Sequence, residues 1–196
     1  MVESVVAIAG VASAIIWLLS HMKTGKQAWT KAGERLGLTF DQGSTIRDPS
    51  LEGRIDGRWV EVRQRQPRRG VSRSYGVEME LELNHRRWSS IILRPHSSSA
   101  RGRGQETGDP RFDAVFQVVG EVDEAFKRGL DQGGARRLLY QIQSEVGEFK
   151  IMHGRLLCES QGLLKEVEAI HDHVAQAVAW AEGLDRAMGV SESLST

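Results

Sequence analysis

Residues 105–120 read QETGDPRFDAVFQVVG, and this stretch divides the chain. In Thr107-Gly108-Asp109-Pro110, Gly108 reaches dihedrals that other residues avoid and Pro110 holds Asp109 extended, so the four residues predict a turn. Asp109 then caps a short helical turn whose first residue is Pro110. On that turn Phe112 and Phe116 lie four apart and face one core. The five residues from Phe116 to Gly120 read as a brief buried strand that ends at a breaker. Everything before the stretch reads as helix and then sheet; everything after it is mostly helical.

On the upstream side, residues 51–65, LEGRIDGRWVEVRQR, predict a hairpin that turns at Asp56-Gly57. Val60 and Val62 point one way along its second arm, and Glu61, Arg63 and Arg65 the other. Residues 67–73 form an exposed loop. Residues 75–83 alternate cleanly, with Tyr75, Val77, Met79, Leu81 and Leu83 on one face and Glu78, Glu80 and Glu82 on the other. Residues 88–93 predict a fourth strand, ended by Pro95. In an antiparallel pairing, Arg63 and Arg65 are expected to face Glu80 and Glu82, at roughly 0.2–1 kcal/mol per pair. Residues 96–107, HSSSARGRGQET, have no periodicity and read as a surface loop.

On the downstream side, residues 121–130 and 135–144 predict two helices parted by Gly133-Gly134. Residues 149–159 predict a second hairpin, turning at His153-Gly154. Residues 163–188 carry Leu164, Val167, Ile170, Val174, Val178, Ala181, Leu184 and Met188 at spacings of three and four, which predicts a long helix with one buried stripe. Ahead of the sheet, residues 27–36 predict a short amphipathic helix with Trp29, Ala32, Leu36 and Leu38 to one side and Gly37 at its C-terminal cap. The fold class expected is α+β: an N-terminal transmembrane helix, then an antiparallel sheet packed against a long C-terminal helix.

The transmembrane expectation rests on residues 4–20, SVVAIAGVASAIIWLLS, which contain no charge. As a helix they extend roughly 25 Å, near the short limit for crossing a bilayer. No basic residue precedes them and no small-x-small cleavage site follows, which argues against a secretory signal. His21, Lys23, Lys26 and Lys31 follow on one side. The positive-inside rule then predicts a single-pass protein of the cell inner membrane with its C-terminal domain in the cytoplasm. The organisation expected is an anchor at 1–22, a linker at 23–26, a globular domain at 27–188 and a frayed tail at 189–196. Gly10 and Ala14 make a small-xxx-small pair, so a homodimer through the anchors is a further expectation.

Composition narrows the classes. Hydrophobic content of 40% and charged content of 27% suit a packed domain. A formal net charge of +0 leaves no global pull toward nucleic acid or acidic surfaces, so an electrostatic partner needs a local patch. The single cysteine, Cys158, cannot form an internal disulfide.

Candidate chemistry is sparse. His171-Asp172-His173 with Glu168 suggests a metal, but residues two apart on a helix diverge, so no metal or cofactor is expected. Asp109 and Asp113 form a carboxylate pair of the acid–base kind, yet capping explains the first and the helix dipole the second. Cys158 as a nucleophile needs a base, and His153 across the turn is the one at hand; a small core residue is the simpler reading. Arg101-Gly102-Arg103-Gly104 lacks the strand–loop–Lys–helix layout of a P-loop. Arg68, Arg69, Arg101 and Arg103 remain as loop cations suited to anionic lipid headgroups. No aromatic residues interleave with them, which disfavours nucleic acid.

The succession of an apolar N-terminus, LEGRIDGRWV at residues 51–60, TGDPRFD at 107–113, HGRL at 153–156 and a long amphipathic helix resembles a group of uncharacterised bacterial proteins, many with membrane segments. The resemblance covers most of residues 33–184, and Thr107-Gly108-Asp109 with Phe112-Asp113 is its most specific motif. It implies an α+β domain beside a membrane and supplies no catalytic residues. The function expected is a non-catalytic binding or scaffold module at the cytoplasmic membrane face. The alternatives are an electrostatic binder of anionic lipid or RNA through the loop arginines, and a hydrolase using Asp109 and Asp113.

Overall fold

The computed structural model describes residues 25–44, 48–65, 75–96, 104–132, 134–146, 148–162 and 164–193. The apolar stretch 4–20 lies outside them, and among the described residues no helix is long and apolar enough to cross a membrane. The described chain opens with a helix over residues 25–36 (α1), which takes in Gly25 and Lys26 from the expected linker. It continues through β1 (Thr39–Asp41), β2 (Ser50–Ile55), β3 (Arg58–Arg65), β4 (Gly76–Glu82), a 3-10 turn (Arg86–Ser89) and β5 (Ile91–Pro95). Then come α2 (Pro110–Val115), β6 (Phe116–Gly120), α3 (Glu124–Asp131), α4 (Ala135–Glu145), β7 (Glu148–Met152), β8 (Arg155–Gln161) and α5 (Val167–Ser193).

The eight strands make one antiparallel sheet in the order β1-β2-β3-β4-β8-β7-β5-β6. Both predicted hairpins form where expected. Asp56 and Gly57 have φ of 50° and 78°, and His153 and Gly154 have 52° and 72°, the left-handed pair that a two-residue hairpin turn requires. Side-chain alternation gives the sheet one apolar face. Val60, Leu81, Leu156 and Ile151 lie in register across it, as do Val62, Met79, Cys158 and Phe149. The helices cover this face: Trp29, Phe126, Leu139, Ile170, Val174 and Leu184 join the same buried cluster.

Several expectations need correcting. Residues 88–89 belong to a 3-10 turn, and the strand starts at Ile91. The turn drives Trp88 into the core, edge-on to Phe126 at 6.1 Å, which a strand position could not do. Tyr75 precedes the first ladder pair of β4 and is 44% exposed, while Val77, Met79 and Leu81 behind it are buried. The helix expected at 121–130 begins at Glu124, because the Asp123 carboxylate accepts from the Phe126 N–H and caps it there. The long helix begins at Val167 and runs to Ser193, so most of the expected frayed tail is helical. Leu164 still packs on the core from outside the helix, and its carbonyl accepts from the Trp29 indole N–H at 3.0 Å.

The charge pairing also differs. The β3–β4 register sets Glu61 opposite Glu80, Arg63 opposite Glu78 and Arg65 opposite Gly76. Because β8 flanks β4 on its other side, the glutamates of β4 have two neighbouring strands to choose from. Arg63 pairs with Glu61 on its own strand, Arg65 with Glu78 at 3.1 Å and with Glu159 on β8, Arg155 with Glu80, and Arg54 with Glu82 at 3.6 Å.

The two ends of the sheet are unlike. One end carries the tight connections: β2–β3, β7–β8 and the 3-10 turn. There the Asp185 carboxylate of α5 accepts from the Asn84 and His85 N–H groups and pairs with Arg58 at 2.8 Å, both side chains largely buried. At the other end α1 begins, its Lys26 ammonium donating to Gln42 just past β1. Arg65 and Gly76 close the β3–β4 ladder at this same end, and β5 leaves from it at Pro95.

Candidate functional site

The TGDPRFD turn forms as a closed unit. Thr107 is buried; its N–H donates to both oxygens of Asp113 at 3.1 Å, and its hydroxyl donates to Oδ1 at 2.7 Å. Asp109 caps α2 through the Arg111 N–H at 2.9 Å, with Pro110 as the first helical residue. Its Oδ2 pairs with Arg136 of α4 at 2.7 Å. Arg136 also pairs with Asp131 and lies over the Phe112 ring, 5.9 Å from its centroid. The Tyr140 hydroxyl donates to the Arg111 carbonyl at 3.2 Å. Beneath, the Phe112 and Phe116 rings lie 4.8 Å apart between centroids, tilted by 38°; both face the core as expected, but Phe116 does so as the first residue of β6 rather than from the helix.

The Arg111 N–H, with help from Arg136, holds the Asp109 carboxyl below the usual carboxylate range. A general acid or base at neutral pH needs the opposite shift. Asp113 spends its oxygens on Thr107. The turn therefore clamps α2 to α4 and to the loop before it. The open depression above it, bordered by Asp109, Arg111, Asp131, Arg136 and Tyr140, is lined by groups already engaged with one another.

The second feature is the sheet face opposite the helices. Glu52, Glu61, Glu80, Leu157 and Lys150 lie in register across it; so do Arg63, Glu78, Glu159 and Glu148, and so do Arg54, Trp59, and, farther along, Arg155 and Met152. Its polar contacts run between strands in Arg65–Glu78, Arg155–Glu80 and Arg94–Gln117, and along β3 in Arg63–Glu61. Arg155 also lies over the Trp59 ring at 5.7 Å. A cleft of about 230 Å³ opens at the middle, bordered by Glu61, Arg63, Glu78, Glu148, Lys150 and Glu159. The β-alternation made each strand's polar side legible in the sequence, but nothing in the sequence set β8 beside β4 and so brought these charges together.

The other expected positions are quickly placed. Arg68, Arg69, Arg101 and Arg103 lie outside the described residues, as do Gly10 and Ala14. The residues that flank them, Arg65 with Tyr75 and His96 with Gly104, are described, and the first three stand at the sheet end where α1 begins. His171 contacts its neighbour Asp172 at 3.3 Å and His173 its own helix at the Ala169 carbonyl. Among the described residues no group of three or more side chains could hold a metal ion. Cys158 is 2% exposed, and burial pushes its thiol up to about 12, the state of a core residue rather than a nucleophile. Arg136, Asp131 and the Arg58–Asp185 pair went unmarked in the sequence, where each reads as an ordinary surface charge.

No protein-family model matches the chain, and no curated protein matches it at a significant level. Among solved structures, the fold is similar to the crystal structure of the mycobacterial trehalose monomycolate transport factor A, TtfA. The TM-score is 0.54 at 9% identity, with 83% of this chain and 93% of that chain covered. At such identity the likeness speaks to the fold alone.

Proposed function

We propose that this chain is a non-catalytic binding or scaffold module tethered to the cytoplasmic face of the inner membrane through residues 4–20. The observation that carries this reading is where apolar surface is found. A 17-residue apolar segment must be buried in lipid or against protein. The domain's apolar sheet face is filled by its own helices, and its other face is lined with glutamate and arginine. Among the described residues the exposed large hydrophobics are Tyr75 and Val119, at 44% and 40%. That leaves the described domain little apolar surface to receive the segment, which favours lipid. The engaged state of Asp109 and Asp113 gives the hydrolase reading no support.

Alkaline carbonate extraction tests the tether. The full chain is expected to stay in the membrane pellet, and a chain lacking residues 1–22 to move to the supernatant. Recovery of the full chain in the carbonate supernatant would overturn the reading.

The electrostatic alternative draws on the sheet end just described, since the flanks of the Arg68–Arg69 loop stand where α1 begins. Cations near an anionic lipid surface contribute about 1 kcal/mol each, so four of them together are worth about a thousandfold in affinity. Vesicles containing phosphatidylglycerol should bind the chain lacking residues 1–22 steeply less well as salt rises. Replacing Arg68, Arg69, Arg101 and Arg103 by serine should abolish that binding; unchanged binding would remove the alternative.

A further inference from the structure

The strand order has its midpoint between β4 and β8. On the open face, the β1–β4 half carries most of the carboxylates: Glu52, Glu61, Glu78, Glu80 and Glu82. That half also carries Arg54, Arg63 and Arg65, and the other half carries Lys150, Arg155 and Arg94 together with Glu148 and Glu159. A twofold axis along the strands, through that midpoint, lays β4 of one copy over β8 of the next and β3 over β7. The registers then fix what meets what. Glu82 faces the partner's Arg155, Arg63 faces the partner's Glu148 and Trp59 faces the partner's Met152, while the partner's Lys150 lies over Glu61, which is buried and paired with Arg63 in its own copy. Each match occurs twice by symmetry. One like-charge meeting results, Glu78 with the partner's Glu159, and Arg65 already bridges those two glutamates within each copy. The matches lie on the four central strands, where the twist between two packed sheets displaces partners least.

We propose that the open sheet face is an isologous docking surface for a second copy of this chain, joined by the charge matches of β3, β4, β7 and β8. The axis direction rests on the membrane-tethered reading: a twofold parallel to the strands keeps both α1 entry points at one end, so two anchors reach one bilayer. A twofold across the strands would send them to opposite ends.

Leu157 tests this directly. It is half-buried on β8 beside the axis, and two packed sheets stand about 10 Å apart. Leu157→Cys in the full chain is expected to crosslink to a dimer with a bismaleimide of about that span. His173→Cys, on the helix layer, is expected not to. Native Cys158 stays silent because its thiol is buried. Lys150 and Glu148 are exposed, so Lys150→Glu and Glu148→Lys leave the fold intact, and each is expected to cut the Leu157→Cys crosslink at least tenfold. Adding about 0.5 M salt should act the same way. Gly10→Leu, chosen to block the small-xxx-small contact expected between anchors, should leave it unchanged.

No crosslink at Leu157→Cys overturns the proposal. So does a crosslink that ignores both charge reversals but vanishes with Gly10→Leu, since the anchors would then be the interface. A chain that remains with membranes but fails to crosslink defeats the pairing and spares the tether. A chain that crosslinks yet partitions with the soluble fraction supports the pairing and defeats the tether.

Discussion

The Asp185 carboxylate accepts two backbone N–H groups and pairs with Arg58, whose side chain is 6% exposed. Removing it leaves the buried guanidinium with the Glu82 carbonyl but no counter-charge, and takes the acceptor from two amides, of which that of His85 is part-buried. Asp185→Ala is therefore expected to cost about 3–5 kcal/mol, read as a shifted denaturation midpoint with an unchanged slope. Asp113→Ala should cost about 2–3 kcal/mol, because Thr107 loses the charged acceptor for its N–H and its hydroxyl. Asp109 was legible as a cap because capping is local. Asp113 was not legible as the lock on Thr107, because that contact closes a loop back on itself and the helix-dipole reading already sufficed. Asp123 gives a pH signature. Burial pushes its carboxyl up, but the Arg87 hydrogen bond and the Phe126 N–H outweigh that and hold it below the usual range. A depressed native value means the stabilisation is present above the unfolded value near about 3.9 and is lost as pH falls through the native one. Asp123→Asn keeps an oxygen for the cap and loses the charge, so its stability should fall less steeply below about pH 4 than that of the unmodified protein, as acid titration by circular dichroism would read.

At the scale of elements, hairpins were the most legible features, because Asp-Gly and His-Gly pairs carry their own dihedral demand. Helix ends were less so: periodicity marks the buried stripe of α5 as far as Met188, while its start at Val167 follows Leu164, whose carbonyl accepts from the Trp29 indole, and the helix runs on to Ser193. The 3-10 turn at Arg86–Ser89 was hidden because Trp88-Ser89-Ser90-Ile91 has the apolar content of a strand. The expected breaker at Gly120 earns its place differently from a simple stop. It has φ of 122°, and a Cβ there would come within 2.3 Å of the Ser90 carbonyl oxygen. Backbone cannot yield as a side-chain tip can, so Gly120→Ala should separate the paired ends of β5 and β6 and cost about 2 kcal/mol or more. Gly57→Ala meets open space and pays only the left-handed backbone strain, so it should cost less. Amide hydrogen exchange should locate the first loss at Ile91 and Gly120, which pair across the two strands.

At the scale of the molecule, the α+β class and the antiparallel sheet were legible, while the strand order was not. Residues 155–161 lie far along the chain from residues 76–82, yet β8 pairs with β4 over seven positions. No local pattern encodes so distant a partner; burial of both apolar faces against the same helices selects it. That insertion has a consequence for stability. β8 joins the half of the sheet built from residues 39–82 to the half built from residues 91–152, with Leu81 on Leu156 and Met79 on Cys158 at the join. Leu156 is fully buried there, so Leu156→Ala leaves a cavity in contact with both halves and should cost about 2–5 kcal/mol. Because one strand serves both halves, the loss should appear as a single cooperative transition at a lower denaturant midpoint, with tryptophan fluorescence and far-ultraviolet circular dichroism coincident. Two separated transitions would mean that the halves fold independently and that β8 is an addition to one of them rather than the join between them.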